Sequence, residues 1–280
     1  MAEVGVSSTS GQVLQSKGVS STPAYSTATY PSTAGTIGNV LTSNGTNWLS
    51  QAPATGNSPP LQSTTLFDDF VGNIASNALG WTQNNSGTGA GALSTSDSGH
   101  PGVFQLQAGT VTNGDSWIFL ANSNYGSTAA FTLGGGVIDM YWVVQIPILS
   151  NSSDRFNLSI GFGDGKGSGL QGFNNGVYFY YSDNTNSGDW TIATAKASTY
   201  TNADSSVAAG TSYTTLRINI NAAATLITYY INGVSVGTIN SNIPTIPVTP
   251  FVALAKAAGT NDRNFNIDMF YLYQSLTSAR

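Results

Sequence analysis

From residue 137 to residue 146 the chain alternates. Ile138, Met140, Trp142, Val144 and Ile146 share one parity, while Val137, Asp139, Tyr141, Val143 and Gln145 share the other. A period of two belongs to a strand, here with one dry and one wet face. Residues 214–221 repeat the pattern, setting Leu216, Ile218 and Ile220 against Thr215, Arg217, Asn219 and Asn221. Similar signals, separated by Gly/Asn/Ser/Asp clusters, predict strands at 64–70, 103–107, 116–121, 137–146, 155–162, 177–181, 190–196, 214–221, 226–231, 234–239, 251–257 and 264–273. Asn232-Gly233 between two of them predicts a tight hairpin. No stretch shows the period of an amphipathic helix. A half-wet strand needs a second layer to cover its dry face, so the fold class is all-β: an antiparallel β-sandwich.

Residues 1–62 read differently. Gly11-Gln12-Val13-Leu14-Gln15-Ser16-Lys17-Gly18 returns as Gly38-Asn39-Val40-Leu41-Thr42-Ser43-Asn44-Gly45, a period of 27 residues. Such repeats stack, and two copies bury little by themselves. The expectation is an oligomeric stalk in which Val13, Leu14, Val40, Leu41 and Trp48 are buried between chains. Asn44-Gly45 predicts a two-residue turn between strands at 40–43 and 46–49. Residues 25–31 are β-prone but broken by proline, and 52–60 form a Pro/Gly linker. The organisation read here is a stalk over 1–62, with repeats at 11–18 and 38–45, and a sandwich head over 63–280.

Composition narrows the chemistry. Only 8% of residues are charged and the net charge is −5, yet 11% are aromatic, which argues against disorder. Eight Lys and Arg in total leave no basic cluster for phosphate, so nucleic acid is excluded as a partner. The apolar runs are too short to span a bilayer, and residues 1–4 show no signal-peptide pattern. Cysteine is absent, removing disulfides and thiolate chemistry. Glu3 is the single glutamate and His100 the single histidine. A glycosidase pair would have to be built from Asp alone, and a depolymerase would use Asp residues such as Asp139 or Asp268. A zinc site would have one imidazole.

Several clusters carry candidate chemistry beside plainer readings. Asp183 to Asp189 place oxygen ligands at alternate positions, as a calcium loop does, but also read as an Asx-rich hairpin. Asp183 and Asp189 are the candidate metal ligands. Phe67-Asp68-Asp69-Phe70 reads as edge-strand charge beside two core phenylalanines. His100 sits before Pro101-Gly102 and reads as a turn histidine. Residues 161–167 read as a hairpin tip, since the Lys-Ser/Thr of a phosphate loop is missing. Tyr141, Tyr178, Tyr180 and Tyr229 are candidate glycan contacts, because a tyrosine ring stacks on a sugar's apolar face while its hydroxyl hydrogen-bonds. Ordinary core packing is the plain alternative. No catalytic residue is assigned.

Two resemblances add to this. The Gly-x-Val-Leu-x-Ser-x-Gly repeats, with Tyr25-Ser26-Thr27-Ala28-Thr29-Tyr30-Pro31 between them, resemble the collar and shaft repeats of bacteriophage fibres. The remainder resembles the concanavalin A-like lectin/glucanase jelly roll. It does so through Phe67-Asp68-Asp69-Phe70 with Trp81, His100-Pro101-Gly102-Val103, Ile160-Gly161-Phe162-Gly163-Asp164, Gly176-Val177-Tyr178-Phe179, Tyr229-Tyr230-Ile231-Asn232-Gly233 and Asn266-Ile267-Asp268. The glutamate-bearing catalytic strand of that family's hydrolases is missing. The resemblances imply a non-enzymatic virion fibre, on tail or head. It would be homotrimeric, attached to other virion proteins through residues 1–10, and would display a lectin-like domain toward a host-surface glycan. A depolymerase using Asp residues, or a purely structural capsid decoration, is the alternative.

Overall fold

The computed structural model describes residue 10 and residues 12–15, 23–31, 40–43, 46–51, 63–72, 79–94, 99–120, 130–165 and 172–277. The chain divides into two compact units, Met1–Pro60 and Leu61–Arg280.

In the first unit, β1 (Gln12–Gln15) pairs antiparallel with β2 (Ala24–Thr29), and β3 (Val40–Ser43) with β4 (Trp48–Gln51). The second pairing corrects the expected turn. Ser43 faces Trp48, so residues 44–47 connect the strands instead of Asn44-Gly45 alone. Asn47 is claimed from outside the hairpin: its Oδ1 accepts from the Thr29 amide at 3.0 Å and the Thr29 hydroxyl at 2.9 Å. Asn44 and Gly45 lie outside the described residues. Val13, Leu14, Leu41, Trp48 and Leu49 are exposed.

The second unit is a sandwich of two antiparallel sheets. Its strands are β5 (Ser63–Asp68), β6 (Trp81–Ser86), β7 (Ala90–Leu93), β8 (Phe104–Gln107), β9 (Asp115–Leu120), β10 (Ile138–Gln145), β11 (Phe156–Gly163), β12 (Gly176–Tyr181), β13 (Asp189–Lys196), β14 (Thr199–Ala208), β15 (Thr214–Ile220), β16 (Ile227–Ile231), β17 (Val234–Ile239), β18 (Thr249–Lys256) and β19 (Asn264–Ser275). One sheet has eight strands, in the order β17-β16-β15-β10-β19-β8-β7, with β5 also paired to β19. The other has seven, in the order β14-β13-β12-β11-β18-β9-β6. Each strand predicted from alternation is present. Asn232 and Gly233 have φ of 50° and 80°, as the primed turn of a two-residue hairpin requires.

Three strands were not predicted: β6, β7 and β14. All three are sheet edges. An edge strand has little to bury, so its sequence carries no apolar alternation.

The parity expected for residues 137–146 holds. Ile138, Met140, Trp142, Val144 and Ile146 are buried between the sheets with Leu216, Ile218 and Ile220. Trp142 packs on Phe270 at 4.6 Å, and Trp81 contacts both, at 5.6 Å from Trp142 and 5.0 Å from Phe270. Each buried aromatic of this kind stabilises the fold by about 1.5–3 kcal/mol. The pairing at residues 67–70 corrects the expectation of two core phenylalanines. Phe70 is buried, but Phe67 is 54% exposed, because β5 turns odd residues outward.

β19 is paired unevenly. β8 covers Asn264 to Ile267 and β5 covers Phe270 to Ser275 on the same side, leaving Asp268 and Met269 between them. Opposite, β10 slips by one: Val143 faces Met269 but Val144 faces Ile267. Asp268 is therefore the extra residue of a β-bulge, a feature that re-aims side chains.

Candidate functional site

The outer face of the eight-stranded sheet carries exposed Phe67 and the half-buried Tyr141, Tyr230 and Tyr271. Pairing aligns Phe67 with Tyr271, Tyr271 with Tyr141, Tyr141 with Arg217, and Arg217 with Tyr230. These side chains form one row across five strands. The rings of Tyr271 and Tyr141 are 5.8 Å apart and tilted by 62°. The Arg217 guanidinium lies 5.1 Å from the centre of Tyr141 and 4.5 Å from that of Tyr230. One outward position along, pairing aligns a polar row: Thr65, Tyr273, Asp139, Asn219 and Thr228. Asp139 Oδ1 joins the two rows. It accepts from Arg217 Nε at 2.7 Å and from Asn219 Nδ2 at 3.0 Å. Burial, and then the charge of Asp139, push the Tyr141 phenol above its usual range, so it is a neutral hydroxyl that can donate.

Further along the same face runs a ladder of amides. Gln107 donates to Gln105 at 3.0 Å, Gln105 to Asn266 at 2.8 Å, and Asn266 to Gln145 at 2.8 Å. Beside it the bulge presents Asp268. His100 Nδ1 meets Asp268 Oδ2 at 2.6 Å, and the imidazole stacks on Tyr213 with ring centres 3.5 Å apart. So His100 is more than a turn residue: the bulge supplies it with a carboxylate. Gly102 fixes the approach, since a Cβ there would lie 1.8 Å from the Asp69 carbonyl oxygen. Burial, then Asp268 and Asp68, raise the Asp69 carboxyl above its usual range. Asp68 itself is structural, accepting from Trp81 Nε1 at 2.8 Å and from the Phe70 amide at 2.9 Å.

Comparison with known proteins places this architecture. Residues 99–268, more than half of the chain, match the family model "SO2946-like, C-terminal domain". The chain belongs to the SO2946-like C-terminal domain family. No curated protein matches it significantly in sequence. Among solved structures, the SO2946-like chain is similar to the protein of unknown function SO2946 from Shewanella oneidensis MR-1. That match has 14% identity and a TM-score of 0.54, and covers 78% of this chain and 89% of that one. It is also similar to the carbohydrate recognition domain of Emp47p, with 11% identity and a TM-score of 0.50, covering 76% and 95%. Emp46p's carbohydrate recognition domain in its metal-free form gives 11% identity and a TM-score of 0.50, covering 73% and 94%. At these identities the likeness establishes the fold, a lectin-like jelly roll.

Within the SO2946-like domain the expected tyrosines separate. Tyr141 lies on the outer face just described. Tyr178, Tyr180 and Tyr229 are buried, which corrects the expectation that they offer rings to a ligand. Tyr229 points between the sheets, its hydroxyl donating to the Ala193 carbonyl at 2.7 Å. Tyr178 and Tyr180 point to the other side of the seven-stranded sheet. There they join a second apolar cluster with Trp117, Phe119, Phe173 and Phe251. Their strand is apolar on both parities because both of its faces are covered.

The residues expected to hold calcium do not fit that ion. Both Asp183 oxygens are taken, Oδ1 by Arg155 Nε at 2.9 Å and Ser150 Oγ at 2.5 Å, Oδ2 by Arg155 Nη2 at 3.0 Å. A bidentate guanidinium satisfies this carboxylate in place of a cation. Asp189 begins β13, and among the described residues no group of three His, Asp or Glu side chains converges on a metal position. Asp139 and Asp268 do not make a hydrolytic pair. Asp139 faces Tyr273, five residues from Asp268 along β19. At ~3.3 Å per residue that is about 16 Å, against the roughly 5–9.5 Å such chemistry uses.

Sequence reasoning missed Tyr271, Arg217 and Tyr230 as partners of Tyr141. Arg217 and Tyr230 stood on the wet parity of recognised strands. Tyr271 was hidden by the bulge, which puts Ile267 and Phe270 on the same face and breaks the period of two.

Proposed function

We propose that this chain is a carbohydrate-binding protein without hydrolytic activity, and that it binds through the outer face of its eight-stranded sheet. The observation that carries this is the pair of adjacent rows: rings and a guanidinium in one, hydroxyls, an amide and a carboxylate in the next. A pyranose has an apolar C–H face and a rim of hydroxyls, and such rows match the two. The fold shared with the carbohydrate recognition domains of Emp46p and Emp47p supports the reading. Mobility in gels containing soluble polysaccharides tests it directly. At least one polysaccharide should retard the wild-type chain, and Tyr141→Ala should relieve the retardation. A chain retarded by none of a broad panel would overturn the reading.

The finer part of the proposal is a homotrimeric virion fibre. Residues 1–10 would attach it to other virion proteins, and the sandwich would face a host-surface glycan. The repeats at 11–18 and 38–45 support it, as do the exposed Val13, Leu14, Leu41, Trp48 and Leu49, which a unit of this size leaves uncovered. Three chains bringing these side chains together would bury them. Several weak sugar contacts per particle would then add as avidity. Light-scattering mass of the full chain should be that of a trimer; a monomer at micromolar concentration would overturn the fibre.

A further inference from the structure

We infer that His100, Asp268 and Tyr213 form a pH-sensitive latch. It clamps residues 99–103 to the β19 bulge and to the segment before β15 while the imidazole carries its proton, and it loosens when that proton leaves.

The buried carboxylate makes the latch matter. The bulge places Asp268 inside its sheet with only 10% of its side chain exposed. Its Oδ1 is buried without a hydrogen-bond partner, and its Oδ2 has His100 Nδ1 at 2.6 Å. Compensation of this carboxylate therefore rests on one ring. A buried charge that loses its partner costs far more than an exposed one, because water cannot replace the lost contact.

That ring answers to pH. An imidazole is the ordinary side chain that changes charge between about pH 5 and 8. With its proton, Nδ1 donates a charge-assisted bond to Asp268. The same positive charge lies against the face of Tyr213, whose ring stacks on the imidazole at 3.5 Å and 15°. Without the proton, both contacts lose their charge. One proton thus tightens the 99–103 segment against two separate elements.

The surroundings set the sign. The titratable groups facing the pair are Asp68 and Asp69 where β5 ends, Asp268 on β19 and the Tyr213 phenol before β15, and all are acids. Asp69 lies in the field of Asp268 and Asp68, and Gly102 brings the 99–103 segment against the Asp69 backbone. These carboxylates repel one another, and an imidazolium on Asp268 offsets that repulsion. Mild acid therefore closes the latch. Discharge of the ring at mildly alkaline pH leaves Asp268 with a neutral partner beside Asp69.

Release does not stop at the ring. Two residues before Tyr213, the Thr211 carbonyl accepts from Gln145 Nε2 at 3.1 Å, at the end of the amide ladder. Loosening at Tyr213 reaches β10 through this bond.

Hydrogen exchange of the full chain, read by mass spectrometry and corrected for the intrinsic effect of pH, tests the latch. His100 is the single histidine, so a histidine effect has one source. Amides in 99–103 and 211–213 should be about tenfold better protected near ~pH 5.5 than near ~pH 8, the exchange of a charge-assisted bond for a neutral one. Amides of β11 and β12 should stay level. His100→Gln keeps a donor that does not titrate, and should abolish the difference, as should Asp268→Asn. Tyr213→Leu leaves the carboxylate and the imidazole in place, and should keep the sign while reducing the size. Equal protection at both pH values in the wild-type chain, better protection at the higher pH, or a difference that persists in His100→Gln would overturn the inference.

Discussion

The guanidinium carbon of Arg217 lies 5.1 Å from the ring centre of Tyr141, on the water-facing side of the eight-stranded sheet. The arginine also holds Asp139, so its charge is fixed beside the ring and is not free to sweep through solvent. A guanidinium held over an aromatic face at an exposed site contributes about 0.5–1 kcal/mol. A double-mutant cycle of Tyr141→Leu and Arg217→Met, read by urea denaturation, should return a coupling of about that size. A coupling of zero would mean the pair is a contact without energy.

Trp81 should depend on Asp68. The indole Nε1 donates to Asp68 Oδ2 at 2.8 Å, and Trp81 is buried beside Trp142 and Phe270. Asp68→Ala strands this donor and should destabilise by about 1–3 kcal/mol. In a Trp81→Phe background, which has no donor to strand, the same substitution should cost measurably less. Equal costs in both backgrounds would show that the hydrogen bond is not the source.

Interior and surface tyrosines should separate cleanly by experiment. Tyr229→Phe removes a bond between the sheets, from the hydroxyl to the Ala193 carbonyl. It should lower stability by about 0.5–1.5 kcal/mol and leave retardation by polysaccharide unchanged. Tyr271→Ala should do the reverse, weakening retardation with little change in the urea midpoint. Loss of retardation in folded Tyr229→Phe would move the ligand away from the outer face.

Acid should act through two carboxylates. Hydrogen bonds from Arg155 hold Asp183 below its usual range, and those from Asn261 hold Asp154 there. A carboxyl whose folded pKa is depressed adds stability above its unfolded value, near ~3.9, and loses it as pH falls toward the folded value. Urea midpoints should therefore stay level from neutral pH down to about 5 and then decline. Asp183→Asn should lower the plateau and flatten the decline. At the other end, burial raises the Tyr181 and Tyr229 phenols. A raised folded pKa means stability present below the unfolded value near ~10 and lost as pH climbs beyond it. Tyr229→Phe should soften that alkaline limb.

Much of the sandwich was legible in the sequence because burial on one side writes a period of two. Val137 to Ile146 and Thr214 to Asn221 could be assigned to a face residue by residue. The edge strands β6, β7 and β14 were not legible, since a segment such as Trp81-Thr82-Gln83-Asn84-Asn85-Ser86 sends one residue, Trp81, into the core and shows no apolar alternation. The candidate site was half legible. Tyr141 could be placed outward by parity, but its neighbours are set by strand order, which brings residues 67, 141, 217, 230 and 271 into one row. The His100–Asp268 contact joins positions 168 residues apart, across a bulge that local pattern does not reveal. Tyr178 and Tyr180 misled because a strand covered on both faces looks, in one dimension, like a strand with aromatic residues to spare; Tyr229 misled because it holds the dry parity of β16 beside the outward Tyr230.

β19 also orders events in time. It is the partner of β10, β8 and β5, and all three precede it in the chain. On the ribosome, those strands emerge first and wait with open hydrogen-bonding edges until residues 264–275 follow. Pairings this distant in sequence close slowly. The domain should therefore stay protease-sensitive until residues 264–275 have emerged, then become resistant in one step as that strand slots between β10 and β8.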